Sequence, residues 1–212
     1  MIELKDARLA FGAKRLFDNI SFCVHEGETL CVRGRAGSGK TALLMTMLGM
    51  IPLDAGYVCF DGEPITATTA PMFRDKMAYV PQDKPLCDVS VVQMVDMLFE
   101  LKSHDATDYT RKKLFAEWKE LQLDRSLLER NVDSLKPSEL QMVMLSAARL
   151  SERKVVLLDD PLAALDDQQA WLAMGCIRRM TAQGAAVVLT MTEHRPMAVC
   201  DSLVNLNELQ NF

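Results

Sequence analysis

The sequence predicts an α/β fold: a layered sheet with a strand-rich N-terminal part and a short helical insertion. Three observations carry that expectation. Apolar, β-branched runs alternate with amphipathic helical segments in the first and last parts of the chain. The glycine-rich string Gly34–Thr41 lies between one such strand and one such helix. A second apolar strand, Lys154–Leu158, runs directly into two carboxylates, Asp159 and Asp160.

Strands are expected at Ile2–Leu9, Ile20–Val24 and Thr29–Arg33, separated by Gly12 and by His25-Glu26-Gly27-Glu28. The stripe Leu43, Leu44, Met47 and Leu48 predicts a helix over Lys40–Leu48. Pro52–Gly56 reads as a turn, and Tyr57–Phe60 and Met77–Val80 read as short strands. From about Asp88 to Ser134 the period becomes helical. Val91, Met94, Val95, Leu98 and Leu101 recur three and four apart, as do Leu114, Trp118 and Leu121. Alternation then resumes with helix Glu139–Leu150, strand Lys154–Leu158, helix Asp167–Met180, and strands Ala186–Thr190 and Leu203–Leu206.

Composition narrows the class. The 212 residues are 49% hydrophobic and 25% charged, enough to bury a core and too apolar for a disordered chain. With 24 basic and 29 acidic residues the net charge is -5, which argues against a dedicated nucleic-acid binder. The longest apolar runs, such as Ala185–Leu189, fall far short of a membrane span. The start, Met1-Ile2-Glu3-Leu4-Lys5-Asp6, does not read as a signal peptide. Six cysteines without a CxxC pair are expected to be small buried hydrophobes in a reduced compartment, which places the chain in the cytoplasm.

Gly34-Arg35-Ala36-Gly37-Ser38-Gly39-Lys40-Thr41 fits the phosphate-loop pattern G-x-x-x-x-G-K-[ST]. Glycines let successive backbone N–H groups point inward as an anion nest, and the helix start adds its positive dipole end. Lys40 supplies a point charge for the terminal phosphates, and Thr41 a hydroxyl for Mg²⁺. A strand ending in Asp159 puts that carboxylate at the sheet's carboxyl edge, beside the loop, where it can hold the Mg²⁺ shell. Asp160, one step further, can orient or deprotonate a water.

With these motifs the chain resembles the nucleotide-binding subunit of an ATP-binding cassette (ABC) transporter, nearly end to end. Tyr79-Val80-Pro81-Gln82-Asp83 is similar to the family's Q-loop, and Pro161–Asp166 to its D-loop. The resemblance implies a P-loop NTPase core with an N-terminal antiparallel β subdomain. Residues 1–212 would form a single ABC ATPase domain, with 1–86 and 135–212 as the RecA-like core and β subdomain and about 87–134 as the helical subdomain. It implies ATP and Mg²⁺ as ligands. Gly34 to Ala42 would contact the nucleotide, and Thr41, Gln82 and Asp159 the metal. Asp160, Gln82 and His194 would be the catalytic group. Phe11, 29 positions before Lys40 (40 − 11), stands where the family places an aromatic that stacks on adenine; a core role is the alternative. The implied partners are a second nucleotide-binding subunit, self or homologue, and separate transmembrane permease chains on the inner face of the cell membrane.

Three departures from the family pattern bear on mechanism. The signature Leu-Ser-Gly-Gly-Gln aligns with Leu135-Lys136-Pro137-Ser138-Glu139, so the serine and both glycines are gone. Lys136 or Ser138, with Glu139, would partly stand in for the contact across the dimer; the alternative is an ordinary capped surface helix. Ser138 is expected to cap the helix, with Gln141 at N3. The family's catalytic glutamate is Asp160 here, one methylene shorter, which implies slow hydrolysis. The family's Thr-His switch aligns with Thr192-Glu193, leaving His194 displaced by one.

Overall fold

The computed structural model describes residues 1–84, 88–100, 111–192 and 200–207. In chain order the elements are β1 (Ile2–Phe11), β2 (Lys14–Val24), β3 (Thr29–Arg33), α1 (Lys40–Met47), β4 (Ala55–Phe60), β5 (Glu63–Pro64), α2 (Ala70–Arg74) and β6 (Met77–Val80). Then follow α3 (Val91–Glu100), α4 (Arg111–Glu120), α5 (Pro137–Leu150), β7 (Val155–Leu158), α6 (Asp167–Ala182), β8 (Ala186–Met191) and β9 (Ser202–Asn205). Two 3₁₀ turns, Arg125–Glu129 and Val132–Ser134, connect α4 to α5.

The N-terminal strands form an antiparallel sheet in the order β2-β1-β4-β5. Ile2, Leu4, Ala7 and Leu9 of β1 face inward and are buried. β2 begins six residues earlier than the apolar run alone indicates. Leu16 and Phe17 are both buried, and Asn19 takes φ 51, so strict alternation fails between Lys14 and Asn19. β5 and α2 carry no periodic signal; α2 is fixed by Phe73, buried against Phe60 with ring centroids 5.5 Å apart.

The second sheet is parallel, in the order β6-β7-β8-β3-β9. Both its faces are covered, which is why β7 is a continuous apolar run with all four residues buried. On one face Val155, Leu157 and Val188 pack with Leu43, Leu44 and Met47 of α1 and with the antiparallel sheet. On the other, Val156 and Leu158 pack with Leu145 of α5, Ile177 of α6 and Trp118 of α4. Each fully buried side chain of this size contributes roughly 1.5–3 kcal/mol.

The structure corrects two expectations. α5 starts at Pro137, with Lys136 rather than Ser138 at the N-cap. Proline suits the first helical position, where its missing N–H is not needed and its φ is preset. The Glu139 carboxylate accepts from the Lys136 N–H at 2.9 Å, closing the first turn. Cys31 and Cys200 are bonded to each other, with Cα atoms 5.7 Å apart, so they are not independent buried thiols. Parallel pairing of β3 with β9 sets Cys31 opposite Leu203 and so brings position 200 alongside, a proximity no sequence spacing announces. Leu101 and the side chain of Leu98, part of the expected helical stripe, lie outside the described residues.

A buried ion cluster ties α4 to α5 and α6. Glu117 of α4 is 4% exposed and meets Arg149 of α5 at 3.1 Å and Arg179 of α6 at 2.7 Å. Beside it the Trp118 indole donates to the Ser146 hydroxyl at 3.0 Å. Removing one member of such a set strands the others in a low-dielectric interior. Glu117→Gln is therefore expected to lower the unfolding free energy by about 3 kcal/mol. Urea denaturation checks this; a loss under about 1 kcal/mol, the range of surface pairs, would show that the cluster is dispensable.

Candidate functional site

The phosphate loop leaves the carboxyl end of β3, where open parallel sheets bind ligands. Gly37 and Gly39 take φ 73 and φ 98, left-handed values that side-chain-bearing residues resist. At Gly34 a Cβ would run into the Ser38 side chain. Ser38 N–H donates to the Arg35 carbonyl at 3.1 Å, so the chain curls over itself before α1 begins. Lys40 is 8% exposed, and its ammonium donates to the carbonyls of Gly34 (2.8 Å) and Arg35 (3.0 Å). The charge is thus held over the mouth of the loop.

The acidic half is assembled by the strand between. β8 separates β3 from β7, and register puts Thr190 opposite Val32 and one step beyond the Leu158–Leu189 pair, level with Asp159. The Thr190 hydroxyl donates to Asp159 Oδ1 at 2.7 Å and accepts the Asp160 N–H at 2.8 Å. Asp159 Oδ2 accepts from the Thr41 hydroxyl at 2.6 Å and from the Tyr79 phenol at 3.4 Å. Burial, together with the Asp159 charge, pushes the Tyr79 pKa up, so the phenol stays a donor. Asp160 is 5% exposed and has φ 43, a left-handed value that aspartate tolerates better than most residues.

A pocket of about 530 Å³ opens above both halves. Ala36, Gly37, Gly39, Lys40, Thr41 and Ala42 form one wall, and Gln82, Asp160 and Thr192 the other. Phe11 stands at the rim, 54% exposed, which removes a core role for its ring. Gly34, Arg35 and Ser38 belong to the loop but do not line the pocket. Lys14, Leu16, Met45 and Ile51 also line it and escape sequence reasoning, because no motif covers them. Lys136, Ser138 and Glu139 do not line it. His194 and Glu193 lie outside the described residues.

The hydroxyl of Thr41 and the carboxylate of Asp159 form a hard-oxygen donor pair. That chemistry fits Mg²⁺, which needs only one or two protein carboxylates beside substrate phosphates. Among the described residues no three His, Cys, Asp or Glu side chains gather into a metal cluster. Thr190→Val would orphan both the Asp160 N–H and one Asp159 oxygen. It should cost roughly 1–3 kcal/mol of stability, with most restored by Thr190→Ser. Denaturant titration of the three proteins reads this; an unaltered midpoint for valine would remove Thr190 from the network.

The ABC transporter family model matches residues 17–163. The manganese transport system ATP-binding protein MntB of Listeria monocytogenes is 26% identical over 215 residues, covering 98% of this chain and 87% of its own. The ribose import ATP-binding protein RbsA of Lacticaseibacillus paracasei is 24% identical over 192 residues, covering 88% of this chain but 38% of its own length. This chain therefore spans well under half of that relative. Among solved structures, an ATP binding subunit of an ABC transporter has a TM-score of 0.85 at 21% identity, covering 97% of this chain and 85% of that one. The dimeric bacterial ABC transporter cassette MJ0796 has a TM-score of 0.82 at 20% identity, covering 97% of this chain and 95% of its own. At these identities the structural likenesses establish the fold alone. Together with the phosphate loop and its acidic partner, the family match places this chain in the ABC transporter family.

Proposed function

We propose that this chain binds ATP with Mg²⁺, pairs with a second nucleotide-binding subunit, its own copy or a homologue, and energises separate membrane-spanning permease chains by hydrolysis. The observation that carries the reading is the closure of the phosphate loop onto Asp159 through the Thr41 hydroxyl. In this reading the loop amides and Lys40 grip the phosphates, and Phe11 stacks on the base. Thr41, Asp159 and Gln82 hold Mg²⁺, which when bound neutralises phosphate charge. Asp160 orients and deprotonates the attacking water, with His194 assigned to the γ-phosphate by resemblance alone. Lys136, Ser138 and Glu139 serve the nucleotide of the opposing subunit.

A second pocket, of about 580 Å³, supports the coupling part of the proposal. Met77, Val80, Met94, Met144 and Ala147 give it an apolar lining, and Arg74, Asp75 and Arg153 add charge of both signs. It reaches Pro81, the neighbour of Gln82, so an amphipathic permease helix seated there would sense the nucleotide site. No helix among the described residues is long and apolar enough to cross a membrane, and attachment through a permease would make the chain peripheral on the inner face. The manganese transport and ribose import relatives are both named as ATP-binding proteins of transport systems, which favours the same role.

A second reading is favoured by Lys136, Pro137 and Asp160: an ATP-bound switch with little turnover. Both readings require nucleotide binding, so Lys40→Ala should weaken ATP affinity roughly tenfold or more by equilibrium dialysis. Unchanged affinity would remove the phosphate-loop assignment and both readings with it. In the transporter reading the wild type hydrolyses slowly, and Asp160→Glu raises kcat by about tenfold or more by restoring the reach of the base. Bound ATP without turnover in either protein would leave the switch as the function.

A further inference from the structure

The tight hairpin joining β1 to β2 places a second cation in the nucleotide pocket. Phe11 and Lys14 are direct cross-strand partners, joined by the two-residue turn Gly12–Ala13, with Gly12 at φ 59. Directly opposed residues in an antiparallel pair project to the same face, with Cβ atoms about 5 Å apart. Both side chains line the pocket. The Lys14 ammonium donates to the carbonyl of Gly37, inside the phosphate loop, at 3.2 Å. Its reach from the hairpin thus ends on the loop, while the ring beside it stays at the rim.

We propose that Lys14 is a nucleotide-binding residue. Its ammonium contacts the α- and β-phosphates from the side opposite Lys40, so that the hairpin grips a nucleotide by base and phosphate at once. The inference rests on the ATP-binding reading above. Lys14 is exposed and its bond to a neutral carbonyl uses one of three N–H donors. A phosphate oxygen is the stronger acceptor for the others, because both partners are then charged. Lys40 holds its ammonium over the carbonyls of Gly34 and Arg35, three and two positions before Gly37. Two ammonium groups along one loop suit a chain of phosphates better than a single phosphate. The contact lies at the level where loop amides cradle the α- and β-phosphates, so the γ-phosphate is not required for it.

The test is binding of ATP, ADP and adenosine to the purified chain by equilibrium dialysis, with Mg²⁺ present. Lys14→Met is expected to weaken ATP and ADP by about tenfold each and to leave adenosine unaltered. Lys14→Arg keeps the charge and should stay within about threefold of wild type. Lys14→Gln can still donate to Gly37 but is neutral, and should match methionine. The wild-type advantage should shrink as salt rises, since the group is exposed. Thermal unfolding of each variant reports whether it is folded; the exposed position leaves the midpoint unchanged. Rescue by glutamine would make Lys14 a brace for the loop and overturn the proposal. So would ATP and ADP affinities within twofold of wild type for Lys14→Met, or an equal loss for adenosine. A wild type that binds no ATP refutes the parent reading, whereas normal wild-type binding with an indifferent Lys14→Met refutes this inference alone.

Discussion

One contact holds the site together: the Thr41 hydroxyl on the Asp159 carboxylate, at 2.6 Å. It joins two segments 118 residues apart in sequence, the start of α1 and the end of β7. The strands that deliver them are not neighbours, since β8 runs between β3 and β7. The contact therefore depends on the whole parallel sheet keeping its register. A one-step slip of β7 would turn Asp159 to the other face, because side chains alternate along a strand. The apolar packing on both faces of the sheet fixes that register, so core and chemistry are coupled.

The phosphate loop and its acidic partner are legible in the sequence for a physical reason. The phosphate loop needs glycine where φ is positive and lysine at a fixed distance, so its geometry leaves a mark in the string Gly34–Thr41. A fully covered parallel strand must be continuously apolar, so Val155–Leu158 stood out, with Asp159 at its end. Other parts leave no such mark. Lys14 enters the pocket through a hairpin whose strand breaks alternation, and Thr190 joins the network by lying between two other strands. The Cys31–Cys200 bond follows from sheet order, not from spacing. Ser138 met the residue preference for an N-cap, but Pro137 at the first helical position moved the start back.

The altered signature segment keeps one property of a helix start and loses another. Pro137 removes an N–H that an anion could have used, and the Glu139 carboxylate occupies the Lys136 N–H. A carboxylate at that place lowers the positive potential that a helix N-terminus otherwise offers. Arg130 stands 3.6 Å from Glu139 and offsets part of that charge. Lys136, an exposed residue, leaves a positive charge at the same helix start. The segment thus carries charge where the family pattern has directional amides and a hydroxyl.

The same exchange governs Asp160. Its backbone is left-handed, and its N–H is tied to Thr190 at 2.8 Å. Aspartate is among the few residues with a side chain that enter that region readily, whereas a longer acid bears a cost of about 1 kcal/mol there. The sharp turn after β7 thus favours the shorter acid. Thr190 makes this choice consistent: one hydroxyl fixes both the Asp159 carboxylate and the backbone of the residue that follows it. The turn after β7 therefore sets a backbone cost on any longer acid at position 160, which Asp160→Glu has to outweigh to gain reach.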